Sequence, residues 1–506
     1  MNLTLFEGCL RNRKALCREL ALPDGAEEAA VIEAGYRRWG AALPDRLYGA
    51  FAFAFHDPES GAFFCARDPV GLQPFFYCVT EKREFLFGCD INDLTGDPRY
   101  RRALDPQALQ YYMQLGYPAG ARTLWRGIRK LMPGQCLTFR DGECRITTYY
   151  RPAYRPDAAP TEEEWAEEID ALLSRVIDED RENVDFSAAC SFLSGGLDSS
   201  YLLALTGVPR AVGVGFRGEA ASETPQAAET ARMLGAAFSE VDVSPEGFLD
   251  AVPRLVRRTG LPLADASAVA FTVGCERAAR YGAACFSGEG ADEFFAGYRI
   301  YSQADRLGHT GGPWHYGCAG VMTDENAARL LMQEAPFPSA PLVRPLYEET
   351  EGCEHLSRLL RIDCALWLEG DILFGAHCSA RAAGLKLLLP YADRRVFELS
   401  ARIPSALKWK DGVEKYILRR AAEKRLPAET AYRPKAGFPV PVREWLRRDP
   451  FRRRVEETLF SPLSARFFDQ ALLRGYWTRF QAGNGIIWQI PYAAYVFLTW
   501  AREYGI

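Results

Sequence analysis

The sequence predicts a mixed α/β and α+β protein, with a layered antiparallel β region first and then a parallel-sheet region that ends in helices. Three observations carry this expectation. Residues up to about 150 hold short aromatic segments that alternate large and small side chains. Beyond about 160, short apolar runs alternate with helical patterns, as in a parallel sheet. Residues after about 400 are mostly helical in pattern. At 506 residues the chain has room for about three average domains.

In the first region, Gly49-Ala50-Phe51-Ala52-Phe53-Ala54-Phe55 reads as a strand. Ala62-Phe63-Phe64-Cys65-Ala66 follows across the polar turn Asp57-Pro58-Glu59-Ser60-Gly61. Pro74-Phe75-Phe76-Tyr77 comes after a further turn at Gly71. The stretch 151–160, with Pro152, Pro156 and Pro160, reads as a linker. The expected organisation is therefore 1–150, a linker over 151–160, and 161–506. A helix opens at once after the linker: Thr161 with Glu164 forms a capping box, and Trp165, Ile169, Leu172, Leu173 and Val176 share one face. Val212-Gly213-Val214-Gly215-Phe216 and Leu387-Leu388-Leu389 read as buried strands. No internal repeat or low-complexity stretch interrupts the pattern.

Composition narrows the function classes. With 48% hydrophobic and 25% charged residues, the chain is neither a disordered tail, a collagen-like rod nor a small disulfide scaffold. A net charge of −5 argues against nucleic acid as the main partner, because phosphate neutralisation needs a basic face. Arg452-Arg453-Arg454 is short and is followed by Glu456-Glu457, so it reads as a solvated helix face. The fourteen cysteines form no C-x-x-C pair, and the five histidines form no cluster of zinc spacing. The N-terminus lacks the apolar core of a signal peptide, and no apolar run is long enough to span a membrane. The expectation is a soluble, cytoplasmic protein with no membrane partner.

The chemistry concentrates in Ser191-Phe192-Leu193-Ser194-Gly195-Gly196-Leu197-Asp198-Ser199-Ser200. An apolar strand ends at Leu193, small residues follow, and a helical run begins. Two adjacent glycines let backbone N–H groups turn inward as an anion nest, with serine hydroxyls and a helix N-terminus beside them. A phosphate or pyrophosphate fits there. Asp198 would repel it unless a cation intervened, which implies Mg²⁺. Gly213-Val214-Gly215-Phe216-Arg217-Gly218 also satisfies the dinucleotide pattern G-x-G-x-x-G. Its first glycines lie inside a strand, however, and Pro225 is expected to interrupt the following helix, so dinucleotide binding is not expected.

Ser194-Gly195-Gly196-Leu197-Asp198-Ser199-Ser200 resembles the pyrophosphatase loop of the N-type ATP pyrophosphatases. Further stretches resemble the asparagine synthetase family: Pro262-Leu263-Ala264-Asp265-Ala266-Ser267, Ser287-Gly288-Glu289-Gly290-Ala291-Asp292-Glu293-Phe294-Phe295-Ala296-Gly297-Tyr298, and Arg433-Pro434-Lys435-Ala436-Gly437-Phe438 with Trp445-Leu446-Arg447. Lys415-Tyr416-Ile417-Leu418-Arg419 fits the same pattern. Tyr36-Arg37-Arg38-Trp39-Gly40 and Ala66-Arg67-Asp68-Pro69-Val70-Gly71 resemble the family's glutaminase-type domain. The resemblance implies a truncated, Ntn-hydrolase-like layered β domain followed by a parallel-sheet, pyrophosphatase-type ATP domain with a helical C-terminal part.

The resemblance also implies a two-step reaction: a carboxylate is adenylated by ATP with release of pyrophosphate, and an amine or ammonia then forms the amide and releases AMP. Asp198 and Asp292 would hold Mg²⁺, and Lys435 would stabilise charge in the transition state. These three are the expected catalytic residues. Leu193, Ser194, Gly195, Gly196, Asp198, Ser199, Ser200, Val214, Ser287 and Gly288 would bind ATP. Asp265, Ser267, Glu289, His377 and Lys386 would line the substrate pocket, with His377 a candidate general base.

Two departures from the family pattern bear on function. Glutamine-dependent members expose a cysteine nucleophile at the mature N-terminus; position 2 here is Asn2. The chain begins at the strand resembling the family's F-N-G-E segment, which reads Phe6-Glu7-Gly8-Cys9, so Glu7 replaces an amide-bearing asparagine. The aspartate that would grip the glutamine α-amine aligns with Glu28. No glutamine hydrolysis is expected. In the acceptor stretch, Gly384-Leu385, Pro390 and Asp393 keep the family frame. The D-R pair has become His377-Cys378, a glutamate has become Lys386 and an arginine Leu388. A pocket for zwitterionic aspartate does not survive such a charge reversal unchanged.

The resemblance thus implies an AMP-forming amide synthetase acting on a small-molecule or peptide carboxylate with an amine or ammonia. Intramolecular amide formation of the lasso-peptide-cyclase or β-lactam-synthetase type stays open. So do asparagine synthesis from aspartate and ammonia, and a non-catalytic nucleotide-binding scaffold. A homodimer or a substrate-delivery partner is compatible with each.

Overall fold

Alternation in the second strand builds the first layer pair. In Gly49–His56, Phe51, Phe53 and Phe55 face one way and pack with Val31 and Ile32 of the helix Glu28–Trp39. Ala52 and Ala54 face the other way, where small side chains leave room for Phe75, Tyr77 and Phe85. The strand lies in a five-stranded antiparallel sheet, ordered Asn2–Leu10, Gly49–His56, Phe63–Arg67, Gln135–Arg140, Glu143–Thr148. Phe76–Val79 does not extend that sheet. It pairs with Phe85–Gly88 and Arg129–Lys130 in a separate three-stranded sheet stacked on the alanine face. The computed structural model describes residues 1–216, 218–219, 222–303, 320–435, 437–438 and 440–506; Arg217 and Ala436, both within quoted motifs, lie outside the described residues.

The segment Ala66 to Gly71 makes the turn between the two sheets. The buried Asp68 carboxylate accepts N–H bonds from Val70, Gly71, Leu72 and Gln73 at 2.7–3.1 Å. Gly71 has φ +88°, and a Cβ there would stand 2.8 Å from the Pro133 ring.

Residues 151–160 carry neither helix nor strand. The helix Glu162–Arg181 then starts with the expected reciprocal cap: Thr161 Oγ1 accepts from the Glu164 N–H at 3.2 Å, and the Glu164 carboxylate accepts from the Thr161 N–H at 2.7 Å. The second half is built on a five-stranded parallel sheet. Its spatial order is Ala237–Asp242, Arg210–Gly215, Ala189–Phe192, Ala284–Phe286, Lys386–Leu388. The chain lays its first strand, Ala189–Phe192, in the centre, adds two strands on one side and then two on the other. The strand order therefore reverses between Ala189–Phe192 and Ala284–Phe286, and a crevice opens beyond their C-terminal ends. Phe451–Leu459, Gln470–Gln481 and Gln489–Tyr504 supply the helical end.

One expectation needs correction. Pro225 does not interrupt a helix; it occupies the first turn of Thr224–Met233, where its missing N–H costs nothing. The strand setting of Gly213 and Gly215 is observed, and each is packed too tightly for a side chain. A Cβ at Gly213 would meet the Phe238 ring at 2.5 Å, and one at Gly215 would meet Thr224 Cγ2 at 2.6 Å.

Buried charges join the two halves. Glu369, from the second half, accepts from Arg67 Nη1 at 2.9 Å and Lys130 Nζ at 2.7 Å, both from the first. Arg11 reaches Asp180 at 2.9 Å and Asp393 at 3.0 Å. Among the described residues, no helix is long and apolar enough to cross a membrane.

Candidate functional site

Beyond the central strand, Gly195 takes φ +83°, and a Cβ there would come within 2.8 Å of the Ala227 nitrogen. Only glycine makes this turn without strain. The Ser194 N–H donates to Ser199 Oγ at 3.2 Å, and the Gly196 N–H donates to Ser194 Oγ at 3.3 Å. The helix Leu197–Thr206 starts at Gly196 with no side-chain cap, so its first N–H groups face the crevice uncapped. From the opposite wall Arg433 donates to the Gly195 carbonyl at 2.5 Å.

The two acids foreseen from separate motifs meet here. Asp198 follows the central strand, and Asp292 follows its neighbour Ala284–Phe286. Lys415 Nζ lies 2.5 Å from Asp198 Oδ2 and 2.7 Å from Asp292 Oδ1, and its side chain is 2% exposed. Lys435 also ion-pairs with Asp292 Oδ1, and its ammonium sits 4.7 Å from the Tyr298 ring centroid. Burial pushes the Asp292 carboxyl up, but Lys415 and Lys435 outweigh it and hold the group well below the usual carboxylate range. For Lys415, burial opposes the charged form, and the two aspartates more than restore it. Lys415 has φ +54°, in the left-handed region. Gly297 is sterically required: a Cβ there would overlap Asp292 Oδ1 at 1.8 Å and Lys415 Cε at 2.1 Å.

These residues line one cavity of about 380 Å³. Of the expected ATP residues, Leu193, Ser194, Gly196, Asp198, Ser199, Val214, Ser287 and Gly288 form its wall. Gly195 and Ser200 do not; Gly195 shapes the loop from behind, and Ser200 is fully buried. Phe192, Val212, Val214, Phe271 and Phe438 make one side apolar, while Lys415, Arg419, Arg433 and Lys435 make another cationic. That division suits a nucleotide, with an apolar base and an anionic tail.

Asp265, Ser267 and Glu289 also line this cavity. Asp265 caps the helix Ala266–Ala278, accepting the Ser267 N–H at 2.9 Å and the Ala268 N–H at 3.2 Å. Glu289 accepts from Ser287 Oγ at 3.3 Å; burial and then Asp292 push it up to about 7, against that hydrogen bond.

His377 and Lys386 lie elsewhere, in a second cavity of about 320 Å³ with Glu7, Cys9 and Arg381. Burial, then Arg381 and Arg67, pull the His377 imidazole down to about 3, too weak a proton acceptor for a general base near neutral pH. Glu28 opens the helix Glu28–Trp39 and does not line the cavity that holds Glu7. Lys415, Arg433 and Tyr298 stand in motifs that the sequence singles out without assigning them a role, whereas Glu223 stands in none. Burial pushes the Glu223 carboxyl up to about 7, against Lys435 and Arg433.

One feature of the donor set bears on Mg²⁺. Asp198 Oδ1 is buried without a hydrogen-bond partner among the described residues, which leaves a carboxylate oxygen open toward a cation beside the phosphate loop. Two carboxylates next to a phosphate cradle fit that ion, which usually takes one or two protein carboxylates together with phosphate oxygens.

Glu293 gives a stability test of this electrostatic frame. It is 1% exposed and accepts from the Tyr298 hydroxyl at 2.6 Å; burial and then Asp292 push it up to about 8. A raised carboxyl stabilises the fold fully below its usual value of 4.5 and loses that contribution as pH climbs through about 8. The native chain therefore loses more stability than Glu293→Gln between pH 5 and pH 9, by on the order of 3 kcal/mol. Urea midpoints at the two pH values measure it, and parallel declines would refute it.

A central parallel sheet with a glycine–serine loop at its switch point, faced by Asp292, Lys415 and Lys435 from three further segments, defines a nucleotide-dependent synthetase. Residues 180–502 match the asparagine synthase family, and residues 3–150 match the glutamine amidotransferase domain. "Putative asparagine synthetase [glutamine-hydrolyzing]" of Mycobacterium bovis is 32% identical over 88% of this chain and 75% of its own length. "Asparagine synthetase [glutamine-hydrolyzing] 1" of Bacillus subtilis is 28% identical over 83% and 72%. A solved glutamine-dependent NAD+ synthetase of Acinetobacter baumannii aligns over 42% of each chain at 17% identity and a TM-score of 0.22, too slight a likeness to carry weight. The chain belongs to the asparagine synthase family. It is a carbon–nitrogen ligase with an ATP-utilising synthetase domain.

Proposed function

We propose that this ligase is AMP-forming: a substrate carboxylate attacks the α-phosphorus of ATP and displaces pyrophosphate, and an amine then attacks the acyl carbon and displaces AMP. The observation that carries this reading is the convergence of Asp198 and Asp292 on the Lys415 ammonium beside the Ser194–Ser199 loop. Phosphoryl chemistry of this kind asks mainly for positioning and charge stabilisation. The loop N–H groups and Arg433 orient the phosphates, and Lys415 and Lys435 face the charge that develops on them. Asp198 and Asp292 would hold Mg²⁺, which supplies further neutralisation of that charge. Glu289, pushed up to about 7, is matched to take the proton lost by the attacking amine.

A second element of the reading is that glutamine is not the nitrogen source. Glu7 stands in the cavity between the halves, where the family pattern has an asparagine, and its carboxylate lies 3.5 Å from Arg381. An anion in that place does not offer the amide donor that a glutamine pocket needs. His377 and Lys386, which depart from the aspartate pattern, line this second cavity and not the nucleotide-side one, so aspartate stays open as the acid beside peptide or intramolecular amide formation.

The test is to incubate the purified chain with ATP, Mg²⁺ and a panel of carboxylic acids, including aspartate and amino-bearing peptides, with and without ammonium. AMP and pyrophosphate in equal amounts are expected, with no glutamate released when glutamine is added. ADP with phosphate, steady glutamate release, or ATP binding without turnover on any acid would each overturn the corresponding part; the last favours the scaffold reading.

A further inference from the structure

A third cavity, a chamber of about 260 Å³, adjoins the nucleotide-side cavity and shares Asp265, Ser267, Trp367 and Phe438 with it. Its chemistry is the opposite of its neighbour's. Where the first cavity is lined by Lys415, Arg419, Arg433 and Lys435, the described residues lining the chamber include no lysine, arginine or histidine. Its walls are aromatic, from Tyr117, Trp367, Phe438 and Trp488, and its acidic groups are the carboxyls of Asp265 and Asp371, both pushed up by burial in the absence of a cation.

Asp371 stands out. It is 0% exposed, and neither of its carboxyl oxygens has a hydrogen-bond partner among the described residues. Buried carboxyls are ordinarily hydrogen-bonded or ion-paired, because leaving both oxygens unmet costs several kcal/mol. Asp265, by contrast, is occupied with its helix cap and with Ser267. Asp371 also lies in the π-helical stretch Cys364–Leu373, an element that is rare and recurs at functional sites. The same stretch supplies Trp367 to both cavities. Aromatic faces around an unpaired buried carboxyl form the kind of enclosure that takes an organic cation.

We infer that this chamber binds the protonated amine or guanidine of a substrate that has an apolar body, with Asp371 as its counter-ion and Trp367 and Trp488 as its walls. The inference rests on the proposed synthetase reading, because it names the class of molecule delivered to the neighbouring carboxylate-activating site: an amine-bearing one larger than ammonia. Charge sorts the two ends of the reaction, with the anionic nucleotide in the cationic cavity and the cationic group of the substrate in the acidic chamber.

The probe is phenethylamine, with 2-phenylethanol as its neutral analogue, titrated calorimetrically into the full chain. The native protein binds the amine saturably and the alcohol at least about ten-fold more weakly. Asp371→Asn weakens amine binding at least about ten-fold and leaves ATP affinity unchanged. Trp488→Ala also weakens the amine, which separates the chamber from a general electrostatic effect, and unchanged circular dichroism shows that each variant is folded. Equal amine binding by native and Asp371→Asn chains, equal binding of amine and alcohol, or no saturable amine binding by a native chain that binds ATP would overturn the inference. Those outcomes leave the AMP-forming reading intact. Failure of ATP binding strikes that reading instead, and the amine titration still decides the chamber.

Discussion

Asp292→Asn forms AMP about 100- to 1,000-fold more slowly than the native chain while keeping the native fold. The substitution keeps the shape of the side chain and removes the charge that holds two ammonium groups in place, those of Lys415 and Lys435. Lys415 is 2% exposed and still pairs with Asp198 at 2.5 Å, so it stays buried and charged. Lys435 is 23% exposed and loses this partner, so its head group can swing from the position facing the developing charge. The amide also no longer offers an anionic oxygen to a divalent cation. Initial rates of AMP formation, read together with thermal unfolding, measure the effect. A rate within a few-fold of native, with the fold intact, would remove Asp292 from the machinery.

Glu369→Gln loses about 3–5 kcal/mol of stability, the usual result of removing one partner from a buried ion pair. Glu369 is 1% exposed and lies between Arg67 at 2% and Lys130 at 4%, so the variant leaves two buried cations without an anion between them. Their remaining acceptors are neutral: Arg67 donates to the carbonyls of Leu131, Gly71 and Gln73, and Lys130 donates to that of Pro118. Burial pushes the Glu369 carboxyl up, but Lys130 and then Arg67 outweigh it and hold the group below its ordinary value of 4.5. For a lowered carboxyl the stabilisation is present above that ordinary value and is lost as pH falls through the folded one. The penalty of the variant therefore shrinks under acid conditions. Urea unfolding at neutral pH is the direct measurement. A loss below about 1 kcal/mol would place the triad among ion pairs that only break even. Replacing all three members with apolar residues recovers much of the loss if burial of the unpaired cations is its cause.

The consequence for function is that the first half is fastened to the second through Arg67 and Lys130. Glu369 and Asp371 are two residues apart on the π-helical stretch, which lies against that fastening on one side and the amine chamber on the other. The turn motif Ala66 to Gly71, noticed in the sequence as a mark of a glutaminase-type domain, thus has a second use that its spacing does not reveal. Arg67 leaves the turn toward the other half, while Asp68 stays to organise the turn itself.

Much of the architecture was legible from local signals. Alternation in Gly49 to Phe55 reported a strand with two unlike faces, and the Thr161–Glu164 box marked a helix start; both depend on residues a few positions apart. The aromatic run from Pro74 was legible as a strand, but its sheet was not, because the partner strands Phe85–Gly88 and Arg129–Lys130 are set by longer-range packing. Pro225 misled for a related reason: its effect on a helix depends on whether it falls in the first turn or the interior, and the local pattern placed that boundary wrongly.

The sequence by itself determined the fold class, the glycine–serine loop after the central strand and the family, because those are carried by short motifs whose spacing survives translation into strand, turn and helix. It also singled out Asp198, Asp292 and Lys435 as chemistry-bearing groups. Only the tertiary structure decided that Asp198 and Asp292 meet on Lys415, that His377 and Lys386 face a different cavity, and that Asp371 closes an aromatic chamber without a partner. These are contacts between segments tens to hundreds of residues apart. They follow from the order in which the parallel strands are laid beside the central one and from which charges the packing leaves buried, and neither can be read from neighbours along the chain.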